Sequence, residues 1–485
     1  MTSDPTPLLH ALQKLKTRQD APFYVPGHKR GQGIPPALKD LLGETVFRLD
    51  VPELPQLDNL FAPEGVIREA QELAAATFGA ERTWFLANGS TSGVEAMVLA
   101  TCRPGDKLIL PRNVHQSAIA ALILSGAMPV FLTPEVDPQL GIAHGVAVEQ
   151  VAAALEAHPD AKAVLLVSPT YYGVCCDVGA IAHLAHQHHI PLLVDEAHGA
   201  HLAFHPDLPT GALASGADLV VQSTHKVLSS LTQSAMLHGQ GSRISPERVR
   251  AALTLVQSTS PSFLLLASLD AARSQMAELG FELMAQTLER AKQARDRLSQ
   301  IPHLALLDRP THPRPGFADL DPTRLTVDVR HLGRSGFEVD EQLDEDWQVV
   351  CELPGLHSLT FVLTLGNTNE DIDRLVKGFE AIATPSFPTL TEPLPEYKTP
   401  AYSLQSCEVS PRDAFFAETE NVPMEAAIAR ISAELVCPYP PGIPTLFPGE
   451  RITGAAIATL QLLRQANVTF TGCSDPSLTT LRVIR

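Results

Sequence analysis

From residue 83 to residue 238 the chain keeps returning to one pattern, a short apolar run followed by a longer stretch with helical spacing. The runs fall at 83–86, 107–110, 129–132, 163–167, 191–194, 219–222 and 235–238. Most of the intervals are long enough for a crossover helix, as at 115–126 and 178–188. Runs without polar alternation suit strands buried on both faces, and parallel pairing of such strands needs crossovers that lay helices over them. The pattern therefore predicts an α/β protein with a seven-stranded, mostly parallel sheet covered on both sides. In such sheets ligands gather beyond the carboxyl ends of the strands. The polar residues that follow each run are thus the candidates for chemistry.

Two neighbouring runs carry the most unusual endings. The run at 191–194 leads into Asp195, and the run at 219–222 into Ser223, Thr224, His225 and Lys226. A carboxylate and a lysine at the ends of adjacent strands allow two readings. One is a strand-end salt bridge. The other is a pyridoxal phosphate (PLP) site, in which the lysine carries the cofactor as a Schiff base and the carboxylate keeps the pyridine nitrogen protonated.

Further residues bear on that choice. The run at 83–86 ends in Asn88-Gly89-Ser90-Thr91-Ser92-Gly93 and then a helix. A glycine-rich turn opening a helix offers backbone N–H groups to a phosphate, and the three hydroxyls add donors. The turn lacks both the GK[ST] ending and the full GxGxxG spacing, and alone it is equally a plain turn. His115 starts a helix after the second run, where it is either a helix-end polar residue or a ring that covers a pyridine. Asp195 is followed by Glu196, Ala197 and His198, and Ala197 is small enough to pack on the opposite ring face. Ser223 and His225 could add hydrogen bonds to phosphate.

The flanks suggest a division into residues 1–60 (arm and helix), 61–263 (large domain), 264–384 (a smaller α+β domain), 385–400 (a linker with five prolines) and 401–485 (a C-terminal α+β unit). Helices are expected at 6–19, 65–78, 264–299, 369–382, 424–435 and 452–466. Strands outside the main sheet are expected at 304–307, 325–329, 347–351 and 358–363. The segment with Pro26, Gly27, His28, Lys29, Arg30 and Gly31 is irregular and reads as an anion or partner contact, or as a surface turn. Glu53, Asp58 and Glu64 lie between prolines, either as exposed filler or to receive a cationic substrate.

A net charge of −18 disfavours nucleic acid or an anionic membrane as partner. No apolar run approaches the ~20 residues that span a bilayer. The N-terminus lacks a signal-peptide pattern. Seven cysteines without a CxxC pair predict neither a disulfide framework nor a metal site, and they suit a reducing cytoplasm.

Taken together, NGSTSG, RNVHQS, SPTYYGVCCD, VDEAHGAHLAFHP and VQSTHKVLSSLTQ, with PGHKRG, ELPQLDNL and PYPPGIPTLFPGE, closely resemble the PLP-dependent ornithine/lysine/arginine decarboxylases. The likeness runs through nearly the whole chain and is closest to the short bacterial form without an N-terminal wing domain. It implies the fold-type-I (aspartate aminotransferase) architecture and decarboxylation of arginine, lysine or ornithine, with arginine favoured. It also implies roles: Lys226 binds the cofactor, Asp195 pairs with the pyridine nitrogen, and His115 and Ala197 cover the ring. Ser90, Thr91, Ser92, His198, Ser223 and His225 belong with the cofactor, and Thr170 approaches its phenolic oxygen. The resemblance further implies at least a homodimer, with Ser258, Thr259 and Ser260 reaching the partner's site, and Glu450 as a candidate for the substrate's distal cation. Against it stand an aminotransferase, which would hold the substrate α-carboxylate with Arg324, Arg330 or Arg334, an aldolase, and a non-catalytic regulatory homologue.

Overall fold

The computed structural model describes residues 4–137, 139–312, 314–384, 407–439, 442–466 and 468–485. The expected linker at 385–400 lies outside them. Strands β1 (Arg82–Leu86), β2 (Lys107–Pro111), β3 (Met128–Leu132), β4 (Ala163–Val167), β5 (Leu192–Asp195), β6 (Leu219–Gln222) and β7 (Ala235–Gly239) form one sheet. Its order is β1-β7-β6-β5-β4-β2-β3. β7 runs antiparallel to β1 and β6, and the other pairs are parallel. Each expected run is a strand.

Burial explains why the runs show no polar alternation. Every residue of β5, β6 and β7 is buried, because helices cover both faces. On one face Val94, Met97, Leu122 and Leu253 pack against Leu193 and Val221. On the other, Val151, Leu155 and Ile181 pack against Leu192, Val194 and Val220. The helix Gly89–Thr101 approaches the sheet so closely that a Cβ on Gly93 would lie 2.4 Å from Val221 Cγ2. That glycine serves helix–sheet packing.

The helix Phe263–Leu298 spans two cores. Its first half buries Phe263, Leu266 and Met276 beside the helices Pro7–Lys16 and Val66–Phe78, and its last turns bury Ala294 and Leu298 under a second sheet. That sheet is antiparallel, with β8 (Ala305–Leu306), β9 (Arg324–Asp328), β10 (Leu353–Pro354) and β11 (Ser358–Val362) in the order β10-β11-β9-β8. A two-residue ladder, Val174–Cys175 with Asp319–Leu320, ties the chain after β4 to the segment that enters β9. The C-terminal residues build a separate core from Met424, Val436, Leu446, Ile457, Leu460 and Leu481. Among the described residues no helix is long and apolar enough to cross a membrane.

Two local expectations fail. The run at 347–351 is not a strand. Helix Gly336–Trp347, started by a capping box of Ser335 and Glu338, continues to Trp347 and ends at Gln348 in the left-handed region. The stretch at 424–435 is not a continuous helix. After a short turn, Met424–Ala427, its backbone is drawn into bridges from Ile431 to Arg451 and from Ser432 to Val483. Pairing with distant segments overrides the helical spacing of its apolar residues.

Candidate active site

Asp195 ends β5 and pairs in register with Val221 of β6. The chain leaves β6 through Ser223 into the short helix Thr224–Val227, which carries Lys226. Lys226 Nζ lies 3.0 Å from His198 Nε2, and Asp195 acts on it as a nearby charge. Asp195 accepts a hydrogen bond from the Ala197 N–H at 3.1 Å. Burial pushes the Asp195 carboxyl up and the Lys226 amine down, while each charge pulls the other back towards its ionised form.

The turn after β1 meets the same place. Ser223 Oγ donates to Ser90 Oγ at 2.7 Å, joining the ends of β6 and β1. The helix Gly89–Thr101 has no side-chain cap: its N-cap residue Asn88 accepts instead from the Ser258 N–H at 3.2 Å. Its first N–H groups and its positive dipole end therefore have no side-chain acceptor among the described residues. Thr91 is exposed at this end. Ser92 is buried and its hydroxyl donates to the Gly89 carbonyl at 2.8 Å, so it faces its own helix. His225 Nδ1 bonds the Ser234 carbonyl at 2.8 Å, and Thr224 Oγ1 is buried without a hydrogen-bond partner among the described residues.

His115 caps the helix Gln116–Ser125, its Nδ1 accepting from the Ser117 N–H at 3.2 Å. Burial, with the Lys226 charge nearby, holds its pKa down to about 4. The C-terminal unit abuts it: the Gly442 carbonyl accepts from the Gln116 N–H at 3.1 Å, and a Cβ on Gly442 would lie 3.2 Å from His115 Cδ2. Thr170 is buried, its hydroxyl accepting from the Val174 N–H at 3.2 Å. Ala197 and His198 are buried, and the His198 ring lies 4.7 Å from that of Tyr171.

Other expected residues lie elsewhere or are engaged. Glu450 is buried and receives Arg112 on both oxygens, at 3.0 Å and 3.2 Å. Ser258, Thr259 and Ser260 are exposed. The basic loop turns inward: Lys29 Nζ donates to the Tyr24 carbonyl at 2.6 Å, Arg30 pairs with Asp20, and His28 with Asp50. Asp58 accepts from the Gly65 and Ile67 N–H groups at 2.7 Å and 3.1 Å and so caps the helix Val66–Phe78. Glu53 accepts from the Leu60 N–H at 2.9 Å. Arg330 pairs with Asp328, and Arg334 bonds Gln342.

Sequence reasoning missed Glu352 here, and it offered Arg324 only as the arginine of an aminotransferase. Arg324 of β9 reaches the His198 carbonyl at 3.0 Å, and the exposed Glu352, beside β10, acts electrostatically on Lys226, His225 and Arg324. Neither position is marked as part of this site by its local sequence, because both are brought in by the second sheet.

The donor set fits PLP: an uncapped helix end with Ser90, Ser223 and an unsatisfied Thr224 hydroxyl at one side, a buried carboxylate at the other, and an amine between charges. The family pattern described as Orn/Lys/Arg decarboxylase, major domain, matches residues 6–314, and that described as Orn/Lys/Arg decarboxylase, C-terminal domain, matches 397–475. The chain is 42% identical to the arginine decarboxylase of Bacillus subtilis, covering 100% of this chain and 99% of that protein. It is 40% identical to the arginine decarboxylase of Halalkalibacterium halodurans, covering 99% and 98%. In fold it resembles the Francisella novicida lysine decarboxylase, with a TM-score of 0.85 at 22% identity over 99% of this chain and 81% of that one. A lysine and a carboxylate at adjacent strand ends are thus explained by ancestry as well as by geometry: the chain belongs to the Orn/Lys/Arg decarboxylase family, the PLP-dependent decarboxylases of basic amino acids.

Proposed function

We propose that the substrate is L-arginine, converted to agmatine and CO2. The observation that carries this choice among basic amino acids is the identity of 42% and 40%, over essentially full length, to two arginine decarboxylases. When bound, PLP supplies an electron sink for the pair left on Cα as the carboxylate departs. The rest is the work of this chain. Lys226 is the amine that receives the cofactor, and Asp195, acceptor-only and buried, keeps the ring nitrogen protonated. His115 and Ala197 are the residues that would cover the two faces of the cofactor's ring, and Thr170 the one that would approach its phenolic oxygen. Ser90, Thr91, Ser223, His225 and the open helix end would hold the phosphate, and Ser92 supports that helix.

His115 is neutral at pH 7, and its Nδ1 accepts from Ser117, so its proton sits on Nε2 and is poorly acidic. The proton returned to Cα is therefore assigned to Lys226. For the distal guanidinium, Glu352 is favoured over Glu450. Its carboxylate is exposed and its charge reaches Lys226, whereas Arg112 already occupies Glu450.

The reading includes a cytoplasmic homodimer in which Ser258–Thr259–Ser260, exposed beside Asn88, reach the partner's site. It also retains the division at 61–263, 264–384 and 401–485 as the functional layout. A fully active monomer in dilute solution would contradict the shared site.

Holoenzyme assayed side by side on arginine, lysine and ornithine should release CO2 and amine fastest from arginine. Equal turnover of lysine overturns the substrate choice. Lys226→Ala should abolish turnover, and decarboxylation at the wild-type rate by that variant overturns the assignment of Lys226.

A further inference from the structure

His198 stands between two basic side chains. Its Nε2 is 3.0 Å from Lys226 Nζ, and its Nδ1 is 3.4 Å from Arg324 Nη2. The same Nη2 donates to the His198 backbone carbonyl at 3.0 Å. A guanidinium only donates, so Nδ1 is the acceptor and the single imidazole proton lies on Nε2, facing Lys226. A second ring proton is opposed by burial, and the Arg324 guanidinium adds to it, so the His198 pKa is held well below its usual value. An Nε2–H needs a lone pair opposite it, and Nζ has one only as a neutral amine.

We propose that His198, oriented by Arg324, is a positioning residue that keeps Lys226 a free amine, ready to receive the cofactor's aldehyde. The inference rests on the assignment of Lys226 as the receiving amine. Condensation of a primary amine with an aldehyde uses the nitrogen lone pair to form the C=N bond. The carbonyl oxygen leaves as water, taking both amine protons. An ammonium has no such pair, so the free-amine fraction sets the rate of loading.

The groups around Lys226 show what the His198–Arg324 arm works against. Asp195 on β5 and Glu352 beside β10 favour the ammonium, and the Tyr171 ring, 5.8 Å from Nζ, attracts a cation. His115 and His225 are held towards their neutral forms by burial and add no charge of their own. Arg324 is the full positive charge that opposes the carboxylates, and His198 is the hydrogen-bond donor that fills the site an ammonium proton would need. Asp321, 3.9 Å from Arg324 Nε, and His201, 3.0 Å from Asp321, hold the guanidinium from behind.

The test follows the visible absorbance gained when PLP is added to apoenzyme, measured as a rate from about pH 6 to 9. His198→Ala should move the half-maximal pH upward by about one unit, a tenfold slower loading on the acid side, while the rates converge in alkali. Arg324→Met should shift it the same way. His198→Gln, which keeps a side-chain N–H donor, should recover part of the shift and serves where the alanine variant folds poorly. Loading slowed by the same factor at every pH, or an unmoved midpoint in His198→Gln and Arg324→Met, overturns the proposal and leaves Lys226 as the acceptor. Covalent absorbance in Lys226→Ala overturns instead the assignment on which the proposal rests.

Discussion

Arg112 and Arg324 are both buried, 3% and 1% exposed, yet they are held on opposite terms. Arg112 follows β2 and is fully engaged. Nη1 donates to the Pro444 carbonyl at 2.8 Å, Nη2 to the Thr445 carbonyl at 3.0 Å, and Glu450 takes the charge, with the Phe447 ring 4.8 Å away. Arg324 bonds His198, but its Nε and Nη1 have no hydrogen-bond partner among the described residues. Its counter-ion, Asp321, is 3.9 Å away and shared with Thr323 at 2.7 Å and His201 at 3.0 Å. A satisfied pair pins the C-terminal unit to the sheet. An under-satisfied cation keeps its field for the neighbouring amine.

Breaking the satisfied pair should have the largest effect on stability. Arg112→Met strands Glu450 in the interior and should cost about 3–5 kcal/mol, read from urea unfolding. Adding Glu450→Leu should restore most of that loss, because two apolar side chains leave no unpaired charge. A double variant no better than the single would show that Arg112 acts mainly through the Pro444 and Thr445 carbonyls. Arg324→Met should be the converse case. Stability should move by no more than about 1 kcal/mol, since little pairing is lost for the desolvation relieved, while the rate of cofactor loading at neutral pH falls by about tenfold. A loss of several kcal/mol there would erase the distinction between the two arginines.

The smallest expected effect concerns acid. His238 is fully buried with its pKa held down to about 3 by desolvation, and His115 sits at about 4. As pH falls below the unfolded value of about 6.5, the unfolded chain takes protons the folded chain refuses, so stability declines towards pH 4. Glu196, raised by burial to about 7, acts with the opposite sign between about pH 4.5 and 7, because there the folded chain holds the extra proton. His238→Gln should flatten the acid decline, measured as urea midpoints at about pH 7 and pH 5. An unchanged slope would mean His238 is protonated in the folded state.

How much was legible depended on sequence distance. Asp195, Lys226, Ser90 and Ser223 follow apolar runs directly, so strand-end logic finds them, and their meeting follows from the order of a parallel sheet. Arg324 and His198 are 126 residues apart, and Arg112 and Glu450 are 338 apart, with no periodicity to link them. The same limit explains the false helix at 424–435, where partners at Arg451 and Val483 recruited the backbone. Asp58, which looked free to meet a substrate, is consumed by an adjacent helix start.

By itself the sequence determined the sheet and the line of strand ends that could hold a cofactor, because burial on two faces writes itself into continuous apolar runs. Only the tertiary structure decided which charges are spent and which stay open. Pairing satisfies Arg112 with Glu450 and leaves Arg324 beside His198, and the strength of a buried charge depends on every group that surrounds it in space.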